Sequence, residues 1–316
     1  MMNIPHFDLG GDGQPLHFLH ANGYPPACYE PLFDLLKTEY RVFGMYLRPL
    51  WGNAKPEEIR SWHPFSEDLL HFLAERMERN GGGGSAEPVI GVGHSIGAVV
   101  TLRAALKEPE RFKALILIDP VLFTPRRIIL WNFVLAMNLG ERAHPAIAGA
   151  KTRRRTFDDL ETVFRRYRNR GIFRYMSDEH LRIYIQGITR KAESGYELVY
   201  SPEWEAQIYL TSLQDFDIWR NLPKLEVPTL FIRGAETDTF LEGAARLVKK
   251  KQPKVKIEAL PKSTHILPLE RPQEVFGIMQ SFLNSLEAGS VAWRRGEACS
   301  RRYASKLADS KIQEKP

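Results

Sequence analysis

Cysteine is scarce: Cys28 and Cys299 are the only two in 316 residues. So far apart, they suggest neither a disulfide framework nor metal-ligand spacing. His-Glu-x-x-His is missing, and no other histidine–carboxylate spacing points to a metal. No metal or cofactor is therefore expected. Long apolar runs are missing too. The longest, Ile128 to Leu139, has about a dozen residues where a bilayer span needs roughly 20. The opening residues, Met1-Met2-Asn3-Ile4-Pro5-His6, have no basic region followed by an apolar one, so no secretory signal is expected and the expected location is cytoplasmic. Gly81-Gly82-Gly83-Gly84-Ser85 is followed by no Lys-Ser/Thr, which argues for a surface linker and against a phosphate cradle.

Charge is not of one sign. Lys and Arg number 44 against 38 Asp and Glu, a net of +6 with pI near 9.2. Much of that excess sits in residues 290–316, where seven basic residues face three acidic ones. Such a basic end usually reads as a solvated tail. With no nucleic-acid module in the chain, nucleic acid is not an expected partner. An apolar content of 43% is ordinary for a globular chain. The length suits one large α/β domain with an insertion, or two domains.

The stretch with most information is Val89-Ile90-Gly91-Val92-Gly93-His94-Ser95-Ile96-Gly97-Ala98-Val99-Val100. An apolar run enters, Gly-x-Ser-x-Gly turns, and a small-residue helix leaves, which is the pattern of a nucleophile elbow. The flanking glycines are expected because a side chain would crowd the turn. The turn lifts the Ser95 hydroxyl above the sheet edge and aims the first helical N–H groups at the same space. Before the elbow the sequence predicts strands at Ile4–Leu9, Leu16–Leu19 and Arg41–Leu47, and helices at Tyr29–Glu39 and Ser66–Arg79. Asp12-Gly13 reads as a hairpin turn between the first two strands. After it come an apolar strand, Ala114–Pro120, and a long helical stretch: Arg126–Leu139, Phe157–Asn169, Asp178–Arg190 and Pro202–Leu213. Ser177 and Ser201 are expected as N-caps, with Pro202 in the first turn. The sheet resumes at Pro228–Gly234 and Val255–Leu260, with a helix at Leu241–Lys250 between them and a last helix at Pro272–Leu286. Apolar strands separated by helices imply a mostly parallel sheet covered on both faces. The expected layout is a core over 1–120 and 223–286, a helical cap over 121–222, and a basic tail over 287–316.

A serine hydroxyl needs a base within hydrogen-bond reach, and the base needs an orienting carboxylate. Ser95, Asp238 and His265 each follow a predicted strand, at the sheet edge where open parallel sheets place their sites. Asp119 also ends a strand and is the rival acid, although the proline after it reads as a hinge. His94 reads as packing within the turn.

With these residues in view, the chain resembles the α/β-hydrolase superfamily, in its capped epoxide-hydrolase-like and lipase-like group, over about residues 4–286. Gly91-x-Gly-His-Ser-x-Gly resembles the elbow, Gly234-Ala-Glu-Thr-Asp238 the acid turn, Ser263-Thr-His265 the histidine turn, and His20-Ala21-Asn22-Gly23-Tyr24-Pro25 the loop that supplies an oxyanion N–H. The resemblance implies Ser95 as nucleophile, His265 as base, Asp238 as orienter, and the Ile96 N–H with that of Gly23 or Tyr24 as oxyanion donors. Where relatives carry Asp-x-Arg-Gly-x-Gly-x-Ser, this chain has Tyr46-Leu47-Arg48-Pro49-Leu50-Trp51-Gly52, a feature shared with a bacterial branch bearing His-Ala-Asn-Gly-aromatic-Pro-Pro. His20, Asn22, Arg48, Trp51 and Trp204 are candidate pocket-lining residues, with packing or a solvated loop as the alternative for Arg48, Trp51 and Trp204. Ile128 to Leu139 reads as an acyl-binding wall, a membrane-touching lid or cap core. The arginine runs at 153–155 and 165–170 read as wet helix faces or an anion attractor.

The expectation is a cofactor-independent serine hydrolase of an ester, thioester or lactone with an apolar portion. The same triad serves C–C hydrolysis, lyase or cofactor-free peroxidase chemistry, and a non-catalytic ligand sensor shares the fold. The epoxide-hydrolase and haloalkane-dehalogenase members of the group carry aspartate where this chain has Ser95.

Overall fold

The structure, a computed structural model, describes residues 4–80, 87–143 and 145–288. The predicted linker at Gly81–Ser85 and the predicted tail beyond residue 288 lie outside the described residues. By compactness the chain divides after Phe276. The second unit, as far as it is described, is helical over residues 277–288. All that follows concerns the first unit.

Strand β1 (His6–Gly10) opens the chain, followed by β2 (Gln14–Leu19), helix α1 (Glu30–Leu36), β3 (Tyr40–Met45) and α2 (His63–Asn80). Next come β4 (Val89–His94), α3 (Ile96–Lys107) and β5 (Phe112–Ile118). Between β5 and the next strand of the main sheet lies an insertion: α4 (Pro125–Ala136), α5 (Gly140–Ala143), α6 (Pro145–Lys151), β6 (Thr156–Phe157), α7 (Leu160–Arg168), α8 (Asp178–Ile188), β7 (Thr189–Lys191), β8 (Tyr196–Leu198), α9 (Pro202–Leu210) and α10 (Phe216–Asn221). The core resumes with β9 (Thr229–Gly234), α11 (Glu242–Lys251), β10 (Lys256–Leu260) and α12 (Leu267–Glu270).

The main sheet has the order β1-β3-β2-β4-β5-β9-β10, parallel except for β1 against β3. Its centre is apolar because both faces are covered: all six residues of β4 are buried, and so is every residue of α3 from Ile96 to Ala105. This is the alpha/beta hydrolase fold.

The expected hairpin at Asp12-Gly13 does not form, because β3 lies between β1 and β2. The glycines there serve a crossing instead of a tight turn. A Cβ on Gly11 would stand 2.2 Å from the Tyr40 carbonyl oxygen, so the connection passes over the start of β3 at backbone contact. In the insertion, Ser177 and Ser201 do cap their helices, accepting from the N–H groups of His180 and Trp204. The small antiparallel sheet β6-β8-β7 is unpredicted. Strands this short carry too few residues for a period of two to show.

The insertion is seated on the core by side chains that reach backbone carbonyls. The Trp62 indole donates to Ile208 (3.1 Å) and Gln207 to Ile59 (2.7 Å), while within the insertion the Trp219 indole donates to Phe123 (2.8 Å). Arg103 of α3 donates to Asp215 (2.5 Å) and Asp217 (2.7 Å) at the start of α10.

Candidate active site

Ser95 sits between β4 and α3 with φ of 59° and ψ of −120°. A non-glycine residue with positive φ carries strain that its surroundings must hold in place. The two glycines make the turn possible by contact distance. A Cβ on Gly93 would lie 2.4 Å from the Gly97 oxygen, and one on Gly97 would lie 2.2 Å from the Leu19 oxygen. β4, α3 and β2 thus meet at backbone contact around the turn. Ile96 opens α3, so its N–H has no carbonyl to meet within the helix.

His265 lies just beyond β10, and its Nε2 stands 2.9 Å from Ser95 Oγ. Its Nδ1 stands 2.7 Å from Oδ2 of Asp119. The expectation of Asp238 as the histidine's partner is therefore corrected: Asp119 occupies that place. Asp238 is exposed and makes no hydrogen bond or ion pair among the described residues. The reason is the turn after β9. There the Gly234 N–H donates to Asp119 Oδ1 (3.0 Å), while the hydroxyls of Thr237 and Thr239 (2.6 Å) donate to Oδ2. The turn expected to present a carboxylate instead supplies donors to one presented by β5, the strand adjacent to β4. Asp119 takes φ of 41° to reach them and is fully buried. The sequence signal for this was the pair of threonines flanking Asp238.

A second hydrogen-bond line runs behind the first. The Ala21 N–H donates to the Tyr29 hydroxyl (3.1 Å), which donates to Nδ1 of His94 (2.7 Å). His94 Nε2 then donates to the His265 carbonyl (2.9 Å). Burial, with the nearby His265 as the next cause, holds the pKa of His94 well below that of a free imidazole. The residue before Ser95 thus ties the loop at 20–24 to the histidine loop, a role that sequence reading passed over as packing.

The remaining expected site residues fall into two groups. Asn22 faces the insertion: its Nδ2 donates to the Glu205 carbonyl (3.2 Å), and its buried Oδ1 has no hydrogen-bond partner among the described residues. Gly23 approaches the ion pair of Arg153 with Glu205 (2.6 Å), for a Cβ there would be 3.5 Å from the Glu205 carboxyl carbon. Tyr24 is corrected as an oxyanion donor, since its N–H turns back to the Ala21 carbonyl (3.3 Å). The others are taken up by structure and not by an open pocket. Both ring nitrogens of His20 are occupied, Nδ1 with the Ala21 carbonyl (2.9 Å) and Nε2 accepting the Leu47 N–H (3.0 Å), which pins the end of β2 to the chain beyond β3. Burial lowers its pKa to about 4. Arg48 grips both oxygens of Asp68 (2.6 and 2.8 Å) and lies over the Trp51 ring, whose indole donates to the Tyr46 carbonyl. Trp204 is buried in the core, with its edge at an outer cleft beside Pro56 and Glu57.

Among the described residues no group of three or more His, Cys, Asp or Glu side chains is placed to hold a metal ion. No described helix is long and apolar enough to cross a membrane.

Comparison with known proteins gives the family and the fold. A sequence model of the alpha/beta hydrolase family matches residues 18–278. Epoxide hydrolase A of Mycobacterium tuberculosis is 26% identical, over 89% of this chain and 94% of that protein. Among solved structures, E-2-(acetamidomethylene)succinate hydrolase superposes with a TM-score of 0.68 at 20% identity, covering 88% of this chain and 94% of that one. The thioesterase domain from the curacin biosynthetic pathway superposes with a TM-score of 0.65 at 17% identity, covering 87% and 94%.

Proposed function

The chain belongs to the alpha/beta hydrolase family, and on that premise we propose that it is a cofactor-independent serine hydrolase of ester-type bonds: carboxylesters, thioesters or lactones. The observation that carries the reading is the unbroken line from Ser95 Oγ through both nitrogens of His265 to Asp119. In this reading His265 Nε2 takes the Ser95 proton as Oγ attacks the carbonyl carbon, and the same nitrogen returns it to the leaving group. Asp119 accepts from Nδ1–H, so the free tautomer is the one whose Nε2 can act as base. The Gly234 N–H and the two threonine hydroxyls keep the carboxylate aimed at the ring. The Ile96 N–H and an N–H of Asn22 or Gly23 receive the developing oxyanion; losing one such donor typically costs about 10²–10³ in rate. Water activated by His265 then releases the acyl group. The insertion serves as a cap in this account, seated over the site by α8 and α9. Tyr24 and Tyr184, whose ring centroids are 5.3 Å apart, stand on the side of His94 and favour a substrate with an apolar portion.

The test is turnover of a panel of chromogenic acyl esters and lactones by the wild type and by Ser95→Ala. The reading expects hydrolysis that falls by at least about 10³-fold in the variant. Hydrolysis at the wild-type rate without the Ser95 hydroxyl would overturn it.

A further inference from the structure

The helix α4 packs against the molecule with little of its surface. Ile128 and Trp131 are its buried residues, while Ile129 (61% exposed), Leu130 (63%), Phe133 (63%) and Met137 (56%), just past its end, stand in solvent. At 100° per residue these four fall within one third of the helix circumference, so they form one stripe rather than scattered exposures. A helix apolar all round is expected to be buried, and here one side is not. The stripe exposes on the order of 400 Å², in the range of the largest apolar patch on a single chain, which is often functional.

The charges around it are also unusual. Arg126 and Arg127 occupy the first turn, the end where the helix dipole disfavours cations, and no acidic residue stands there. Both are exposed, and among the described residues the contact found for either is that of the Arg127 guanidinium, 5.8 Å from the Phe123 ring centroid, with no ion pair. Arg126 lies on the axis of the stripe itself. From Val121 to Gly140 the sequence contains no Asp or Glu.

We propose that this face of α4 docks on an anionic lipid surface, with the four apolar side chains entering the headgroup–acyl boundary and Arg126 and Arg127 meeting lipid phosphates. Charge selects this occupant over a second copy of the chain. Two copies joined through the stripe would bring guanidinium groups into a shared apolar interface that offers no carboxylate from residues 121–140 to pair them. A phospholipid surface supplies both the apolar depth and the negative charge. The face begins one short loop beyond Asp119, so docking would place the site beside a lipid phase.

Flotation of the full chain with vesicles tests this, using phosphatidylglycerol against phosphatidylcholine at two salt concentrations. The same runs include Leu130→Glu/Phe133→Glu and Arg126→Glu/Arg127→Glu, each checked for an unchanged far-ultraviolet circular dichroism spectrum and melting temperature. The expected result is at least tenfold more binding to phosphatidylglycerol, weakened by salt, lost in the apolar double variant, and stripped of its lipid preference in the arginine variant. Three results would overturn the proposal. One is no binding to either vesicle. Another is binding that survives Leu130→Glu/Phe133→Glu, which would assign it to charges elsewhere, such as the basic residues beyond 288. The third is a dimer in light scattering that Leu130→Glu/Phe133→Glu dissociates, which would give the stripe to a second copy.

Discussion

Asp119 Oδ2 lies 2.7 Å from His265 Nδ1, joining residues 146 positions apart at the one buried carboxylate that β5 carries to the sheet edge. Asp238, which the order of motifs favours, stays in solvent. The two aspartates therefore separate a reading of geometry from a reading of pattern.

Replacing Asp119 by Asn keeps the shape but offers His265 an amide, which favours the wrong tautomer. We expect kcat to fall on the order of 10³–10⁴-fold. Asp238→Asn should leave it within roughly twofold, as for an ordinary surface substitution. Steady-state kinetics on a chromogenic ester decides between them, and equal losses would contradict the assignment.

The Tyr29–His94 line predicts a different signature. Tyr29→Phe deletes the hydroxyl that bridges the Ala21 N–H and His94 Nδ1. Two buried groups lose their partner, at a cost of about 1–3 kcal/mol each. If the line holds the 20–24 loop in register with His265, kcat should fall about tenfold with KM little changed, beyond the loss of stability. Urea midpoints and kinetics measured on the same preparation check this. A stability loss with unchanged kcat would reduce the line to packing.

The elbow and the histidine turn were legible because each is local. Gly93 and Gly97 report contacts made within and beside one turn, and His265 follows the last sheet strand. The carboxylate beside His265 was not legible, since a carboxylate after either of two neighbouring strands can reach the same ring. The choice is made by Thr237, Thr239 and the Gly234 N–H, which meet Asp119 only in three dimensions. For His20 and Arg48, candidates for pocket lining, the sequence did not show their partners for the same reason: Leu47 and Asp68 are supplied by the fold. The sheet order hid behind Asp12-Gly13, where a turn sequence spans an intervening strand.

Buried histidines predict the response to acid. His20 and His17 have folded pKa values lowered by burial to about 4 and about 3, and that of His94 is also lowered. Below pH 6.5 the unfolded chain binds protons that the folded chain refuses. Stability is therefore present above that pH and is lost as pH falls toward the folded values. At about 1.4 kcal/mol per pKa unit, His20 alone removes on the order of 3 kcal/mol between pH 6.5 and 4. Urea midpoints should be lower at pH 5 than at pH 7.5 with the slope unchanged. An equal or higher midpoint at pH 5 would contradict this.

Arg103 predicts a mutation far from the chemistry with a large effect. Its side chain is 8% exposed, and Asp215 beside it is 2% exposed. Burial pushes the Asp215 carboxyl pKa up even against the pull of this guanidinium. Arg103→Met would strand that carboxylate, and breaking a buried pair in this way costs about 3–5 kcal/mol. Thermal unfolding of the variant measures it, and a melting temperature within a degree of the wild type would contradict it.

The most direct test of the account is covalent. Incubation with a fluorophosphonate, followed by intact-mass and peptide analysis, asks whether Ser95 is a nucleophile activated by His265. The account predicts a single adduct on Ser95 in the wild type, none in Ser95→Ala, and labelling slowed at least about 10²-fold in His265→Ala. An adduct that persists in Ser95→Ala, or a labelling rate indifferent to His265, would contradict it.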